Sequence, residues 1–326
     1  MQYPTQDPSQ DVRLAVVGVG HFGRHHARVA ASLPGVKLVG IHDRNPERAS
    51  EVAREFGLRV LPNLEAVVQE AQAAIVATPT VSHAEVSAFL LERGLDVLVE
   101  KPITASLREA DGLLALSRAK GRILQVGHLE RYNPAVQAVL SAVRAPLFIE
   151  VHRLGVFTRR SLDVDVVLDL MIHDLQIVQS LAGGRPVEIR AAGVSVLSPR
   201  LDIANARISF EGGCVANLTA SRVSAKKVRK LRVFAPAMYV SVDMQSRTVK
   251  TYRLSRKNGE PEVVTAEVPV GPEEPLALEI ADFARASRLR QPPLVPGEAG
   301  RDALALSREV LEAIERHRLV REGAGA

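Results

Sequence analysis

Tryptophan is absent from this chain and aromatic residues make up only 4% of it, so its core must be aliphatic. A single cysteine, Cys214, excludes an internal disulfide and suits a reducing compartment, where its expected part is that of a small buried hydrophobe. No uninterrupted apolar run approaches the roughly 18 residues that a membrane helix needs. The opening "MQYPTQDPSQD" shows no basic region followed by an apolar one, so no secretory signal is expected. These absences point to a cytoplasmic protein with no membrane partner. Charge of one sign is also not concentrated. The 42 Lys and Arg are scattered among 37 Asp and Glu for a net charge of +5, which argues against a nucleic-acid partner and leaves a neutral or anionic small substrate. Internal repeats and low-complexity blocks are missing.

What is present is a chain of 326 residues, 46% apolar, long enough that two domains are the natural expectation. Residues 1–10 and the final "REGAGA" read as loose tails. From 11 to about 130, short apolar β-branched runs alternate with helical spacings: "RLAVVGVG", "VKLVGIHD", "AAIVATP", "LDVLVEKP" and "RILQVGH" are strands, and the segments between them are helices. Asn45 with Pro46 opens one helix and Gly57 closes it, and Ser106 with Glu109 forms a capping box. Strands apolar on both faces, alternating with helices, predict a Rossmann-type parallel sheet whose carboxyl ends gather the ligands. From 131 to 326 the pattern becomes one long helix, "DVVLDLMIHDLQIVQSLAGG", a series of alternating strands and two closing helices. That predicts an α+β domain with an open, largely antiparallel sheet, serving substrate binding and oligomerisation. An exposed face of that sheet suits a homodimer or homotetramer.

"GVGHFG" places Gly18, Gly20 and Gly23 between the first strand and its helix, where a pyrophosphate can approach the backbone and the helix N-terminus. Asp43 ends the second strand about 20 residues on, the position of an acid for a ribose 2′-hydroxyl. This favours NAD; the adjacent Arg44 leaves NADP possible. His21 and Phe22 fall inside the glycine turn and are assigned to the cofactor. His25 and His26 follow. The histidine cluster lacks nearby ligands of metal spacing, so packing or phosphate contact is expected and a metal is not.

Two further stretches carry chemistry. "VEKP" sets Glu100 and Lys101 at a strand end, and "LDLMIHD" sets Asp169 and His173 four apart on one helical face. The pair is either a helical contact that only stabilises or a base oriented by a carboxylate.

Together "GVGHFG", "VEKP" and "DLMIH" resemble the glucose–fructose oxidoreductase/inositol dehydrogenase family of NAD(P)-dependent sugar dehydrogenases, in this order and over almost the whole chain. The resemblance implies that Lys101 lies beside the nicotinamide and the substrate hydroxyl. It implies His173 as proton acceptor or donor, with Asp169 beside it. It places Thr78, Pro79, His83 and Glu100 around the cofactor, with ordinary packing an equal reading for His83. "VGHLERYNPAV" is similar to the sugar-nucleotide branch, and most to those bacterial members that oxidise the 3-hydroxyl of UDP-N-acetylglucosamine on the way to 2,3-diamino-sugar lipid A. His128, Glu130, Arg131 and Asn133 become candidate substrate contacts, with Asn133 before Pro134 also fitted to cap a helix. Arg222, in the basic run "SRVSAKKVRKLRV", is a further candidate for a diphosphate, and the rest of that run is expected to guard a sheet edge. Arg153, Arg159 and Arg160 are candidates too. The alternatives are a dehydrogenase of a free polyol and a non-catalytic NAD-binding metabolite sensor.

Overall fold

The computed structural model describes residues 11–158, 164–257 and 260–323. Expectations for residues 1–10, for Arg159 and Arg160, and for residues 324–326 lie outside them. The first half runs β1 (Val12–Val17), α1 (His21–Ala30), β2 (Val36–His42), α2 (Pro46–Phe56), α3 (Leu64–Glu70), β3 (Ala73–Val76), α4 (His83–Glu92), β4 (Asp96–Glu100), α5 (Leu107–Lys120) and β5 (Leu124–Gly127). After it come α6 (Pro134–Ala142), β6 (Phe148–Leu154), α7 (Ile172–Ala182), β7 (Pro186–Val194), β8 (Ile203–Phe210) and β9 (Val215–Ser221). The chain continues through β10 (Val228–Ala235), β11 (Met238–Asp243), β12 (Thr248–Lys257), β13 (Glu260–Val268), α8 (Pro275–Leu289) and α9 (Gly297–Gly323).

The first compact unit comprises the chain up to Leu129 together with Glu273–Asp302. Its five strands lie in the order β2-β1-β3-β4-β5, all parallel, so every carboxyl end points one way. The order reverses direction between β1 and β3, which is where ligands bind in such sheets. β3 is buried at every position, as a strand covered by helices on both sides must be. The helices start where side chains satisfy their free amides: Asn45 accepts from Glu47 and Arg48, Asn63 from Ala66, and Ser106 and Glu109 form the reciprocal box. Each such cap contributes about 1 kcal/mol.

Glu273–Asp302 departs from the expected boundary, which gave everything after 130 to the second domain. Leu276, Ile280, Phe283 and Ala284 of α8 join Val12, Leu14, Val29 and Ile75 in the first core. Asp96, fully buried at the start of β4, accepts from Ser287 Oγ (2.6 Å) and Arg290 Nη1 (2.5 Å) at the end of that helix.

The second unit, Glu130–Pro272 with Ala303 onward, is built on an eight-stranded sheet ordered β13-β12-β11-β10-β6-β9-β8-β7. Every neighbouring pair is antiparallel except β6 and β9. Its inward residues, among them Ile149, Val151, Ala216, Leu218, Leu231 and Val233, share a core with Leu175 and Val178 of α7 and with Val310 of α9. The basic run does not guard an edge: β10 lies inside the sheet between β11 and β6, and the edges are β13 and β7. The long helix is also not uniform. Val167–Met171 forms a π-helical turn before α7, and Gly183 and Gly184, both at positive φ, end it. No described helix is long and apolar enough to cross a membrane.

Candidate active site

At the carboxyl ends of β1 and β3 the backbone comes too close for side chains. A Cβ on Gly18, whose φ is +84°, would sit 2.8 Å from the main chain of Ala77 and Thr78. One on Gly23 would sit 1.8 Å from the carbonyl oxygen of Gly18. A Cβ on Gly20 would instead meet nothing within 4 Å, which leaves the turn open on the side where α1 begins. Gly20 is the N-cap of α1, with no side-chain cap and no acid in the first turn, so the leading amides of this helix are offered to an anion. The hydroxyl Oγ1 of Thr78 is sealed from solvent with no hydrogen-bond partner among the described residues. These residues fit a dinucleotide.

The remaining cofactor candidates take distinct places. Asp43 is anchored from two sides: Oδ2 accepts from Val19 N (2.9 Å) and Oδ1 from Asn45 N (2.8 Å). Each oxygen keeps a lone pair for a ribose hydroxyl. Arg44 and His21 are exposed. Phe22 is 54% exposed, because the helix turns its Gly23, His26 and Ala27 side inward. His83 ties two turns together, with Nδ1 2.9 Å from Pro102 O and Nε2 2.8 Å from Thr78 O. Burial lowers its pKa, with the carbonyl contacts working the other way. Pro79 is extended and opens the short 3₁₀ turn that leads to His83.

Lys101 stands at the carboxyl end of β4, half-buried, with a cis peptide to Pro102. Its backbone N–H donates to Glu100 Oε2 at 3.2 Å. Glu100 Oε1 lies 2.7 Å from Nε2 of His26, a residue of α1 with no exposure. Burial alone would raise the Glu100 pKa, but the bond to His26 and the Lys101 charge outweigh it and hold the carboxyl below its ordinary value.

In the second unit Asp169 falls within the π-helical turn and His173 in the first turn of α7, both half-buried. A π turn shifts the stagger of the side chains it carries, and such turns recur at functional sites. Arg153 of β6 is buried and bidentate to Asp174, the residue after His173, at 2.8 Å and 2.7 Å, with Nη1 2.8 Å from Glu130. Burial works against the Arg153 charge, yet Asp174 and Glu130 outweigh it and hold the guanidinium above its ordinary pKa. Glu130 also accepts from Arg229 (3.0 Å) and Asn133 (3.1 Å). Burial raises its pKa, but Arg153 and Arg229 more than reverse that.

Several expected substrate contacts are therefore spent inside the protein. Arg153 and Glu130 neutralise each other within this network. Asn133 caps α6 through Ala135 N (3.1 Å). Arg222 is buried and donates to the carbonyl oxygens of Val164 and Leu201. His128 is buried at the end of β5. Arg131 differs. Its Nε and Nη1 are sealed from solvent with no acceptor among the described residues, and burial lowers its pKa.

Sequence reasoning passed over Asp174, although it directly follows His173, because pairing with Arg153 is set by the fold. It also passed over Glu279. A signal for that residue existed: Leu276, Glu279, Ile280 and Phe283 have the spacing of one helical stripe, so the acid stands where a hydrophobe belongs.

Residues 12–128 match the model of an oxidoreductase family with an NAD-binding Rossmann fold, and residues 136–237 match the GFO/IDH/MocA C-terminal domain. The chain is 39% identical over 307 residues to UDP-N-acetylglucosamine 3-dehydrogenase of Acidithiobacillus ferrooxidans, covering 93% of this chain and 97% of that protein. It is 31% identical to scyllo-inositol 2-dehydrogenase (NAD(+)) of Bacillus subtilis, over 65% of this chain and 68% of that one. A solved structure of the Acidithiobacillus ferrooxidans enzyme superposes with a TM-score of 0.88 at 38% identity, covering 94% of this chain and 98% of that chain. A five-stranded Rossmann sheet, an eight-stranded sheet in the second unit and similarity along nearly the full length leave one conclusion: the chain belongs to the GFO/IDH/MocA family of NAD-binding oxidoreductases.

Proposed function

We propose that this protein is an NAD-dependent dehydrogenase of a nucleotide-sugar, oxidising the 3-hydroxyl of UDP-N-acetylglucosamine to a ketone. The observation that carries the anionic substrate is Arg131. Two of its guanidinium nitrogens are sealed without an acceptor among the described residues, which is costly, and a diphosphate would offset that with charge-assisted bonds to the group. The similarity to the Acidithiobacillus ferrooxidans enzyme supports the sugar and the carbon.

The cofactor would be held by the turn of Gly18, Gly20 and Gly23 with the N-terminus of α1, and by Asp43 and Thr78; when bound, NAD supplies the hydride acceptor. His173, in the first turn of α7, takes the hydroxyl proton as the C–H bond gives up its electron pair, with Asp169 to orient it. Lys101 stabilises the developing alkoxide. The alcohol thus loses one hydride and one proton and leaves as a ketone, a fit substrate for transamination to the amine of a 2,3-diamino sugar. The reaction belongs in the cytoplasm. We further assign the outer face of the second sheet to association of two or four copies.

The test is NADH formation from UDP-N-acetylglucosamine, UDP-glucose, myo-inositol and glucose, with a carbonyl trap to draw an uphill oxidation forward. Turnover with UDP-N-acetylglucosamine alone is expected; turnover with the free polyol alone would overturn the nucleotide-sugar assignment. Lys101→Met should lower kcat by about two orders of magnitude or more, the scale of a lost oxyanion donor, while NADH still binds. A variant retaining most of its turnover would remove Lys101 from the chemistry.

A further inference from the structure

Behind Lys101 lies a group of ionisable side chains for which the hydride transfer itself has no use. Glu279 of α8 is wholly buried, and neither of its carboxylate oxygens has a hydrogen-bond partner among the described residues. One of those oxygens lies within 4.8 Å of both a ring nitrogen of His26 and a carboxylate oxygen of Glu100. Glu100 cannot move away from it. His26 holds one oxygen, the Lys101 amide holds the other, and Gly127 of β5 backs the carboxylate so closely that a Cβ there would stand 3.1 Å from it. Gln125, also on β5, donates to the main-chain oxygen of Glu279 (3.1 Å) and keeps α8 in place.

Two carboxylates this close in a dry interior do not both ionise. The geometry decides which one holds the proton. Glu100 receives a contact from His26 and an amide, and the Lys101 ammonium is next in sequence; Glu279 receives no donor among the described residues, and the other charge that acts on it is the like charge of Asp282.

We propose that Glu279 is a positioning residue for Lys101: a permanently protonated acid that faces Glu100 and keeps the charge behind the lysine at one carboxylate instead of two. Burial, with the charges of Glu100 and Asp282 adding to it, pushes the Glu279 pKa far up, in agreement with that arrangement. The consequence for chemistry is electrostatic. A second ionised carboxylate would attract the Lys101 ammonium and draw it away from a developing alkoxide. The consequence for architecture is that α1, which opens on the nucleotide turn, is joined through His26 and Glu100 to the strand end that presents Lys101. This inference rests on the catalytic reading of Lys101.

The test uses the full-length protein. Infrared difference spectra of wild type against Glu279→Gln should show, at neutral pH, the carbonyl stretch of a protonated carboxylic acid that the variant lacks. Glu279→Gln keeps a neutral hydrogen-bonding side chain, so its kcat and the pH profile of kcat should stay within about twofold of wild type. Glu279→Leu is equally neutral but removes the O–H dipole that a protonated Glu279 turns toward Glu100, so the charge is held less firmly on Glu100 behind Lys101. Its kcat, counted per NADH-binding site so that unfolded protein is excluded, should fall at least about tenfold and its pH profile should shift, with the KM for NAD little changed. Absence of the acid band, an unchanged profile in Glu279→Leu, or a stoichiometric metal lost in Glu279→Gln would each overturn the inference. A wild type that turns over none of the sugars would count against the substrate assignment, and the infrared band, which needs no substrate, would still decide the protonation of Glu279.

Discussion

Among single residues, the arginines show how the same side chain is put to different uses by its surroundings. Arg153 has both its acids and is buried with them, whereas Arg131, the residue after Glu130, has Nε and Nη1 sealed from solvent with no acceptor among the described residues. The two make opposite predictions. Arg131→Ala removes a cation that the folded protein does not itself use. It should raise the KM for UDP-N-acetylglucosamine by roughly tenfold to a hundredfold, the worth of a charge-assisted hydrogen bond, and leave NADH affinity and the unfolding midpoint almost unchanged. Saturation curves with both substrates measure this. An unaltered KM for the nucleotide-sugar would remove Arg131 from the substrate site. Side chains of this kind cannot be sorted from sequence. Arg131 and Arg153 look alike as letters, and only the fold shows which of them has Asp174 and Glu130 within 3 Å.

Elements were more readily legible than partners. The five parallel strands, their caps at Asn45 and Ser106, and the open second sheet follow from periodicity and punctuation, because burial on one or two faces writes itself into the side-chain pattern. Where burial writes nothing, reading failed. β13 is exposed along nearly its whole length and so has no apolar signature. The π turn at Val167–Met171 is a change of backbone hydrogen-bond register, which "VLDLM" does not encode. The return of Glu273–Asp302 to the first unit depends on which core receives Phe283 and Ile280, and their apolarity would suit either. The element that follows the π turn is pinned by the Arg153–Asp174 pair, which ties α7 to β6. Arg153→Met should therefore strand the buried Asp174, leave Glu130 only Arg229 and Asn133, and cost about 3–5 kcal/mol. Urea unfolding should show that loss in the second unit, with NADH binding to the first unit retained. A loss below about 1 kcal/mol would mean that the network is not what fixes α7.

For the whole molecule, the second sheet raises the question of what its outer face is for. Residues inward on β6, β10 and β11, such as Ile149, Val233 and Val240, are fully buried, so their neighbours in sequence point outward. Four of those neighbours form a row across adjacent strands. Phe148 meets Phe234 at 5.8 Å between ring centroids, Phe234 stacks on Tyr239 at 4.7 Å, and Tyr239 stacks on Tyr252 at 4.9 Å. A chain with only 12 aromatic residues places a third of them in this one row, all half-buried and none in the core beneath. Aromatic rows of this sort carry much of the binding energy when two copies of a sheet face each other, since they bring large area at little cost in side-chain order. A symmetric pair would bring the row against its own copy. Sedimentation of the wild type should thus give a dimer or tetramer at micromolar concentration. Phe234→Glu with Tyr239→Glu, which sets acids into the middle of the row without touching the core, should give the monomer with its NADH affinity intact. A wild type that sediments as a monomer, or a double variant with the wild-type mass, would show that the row serves the single chain alone.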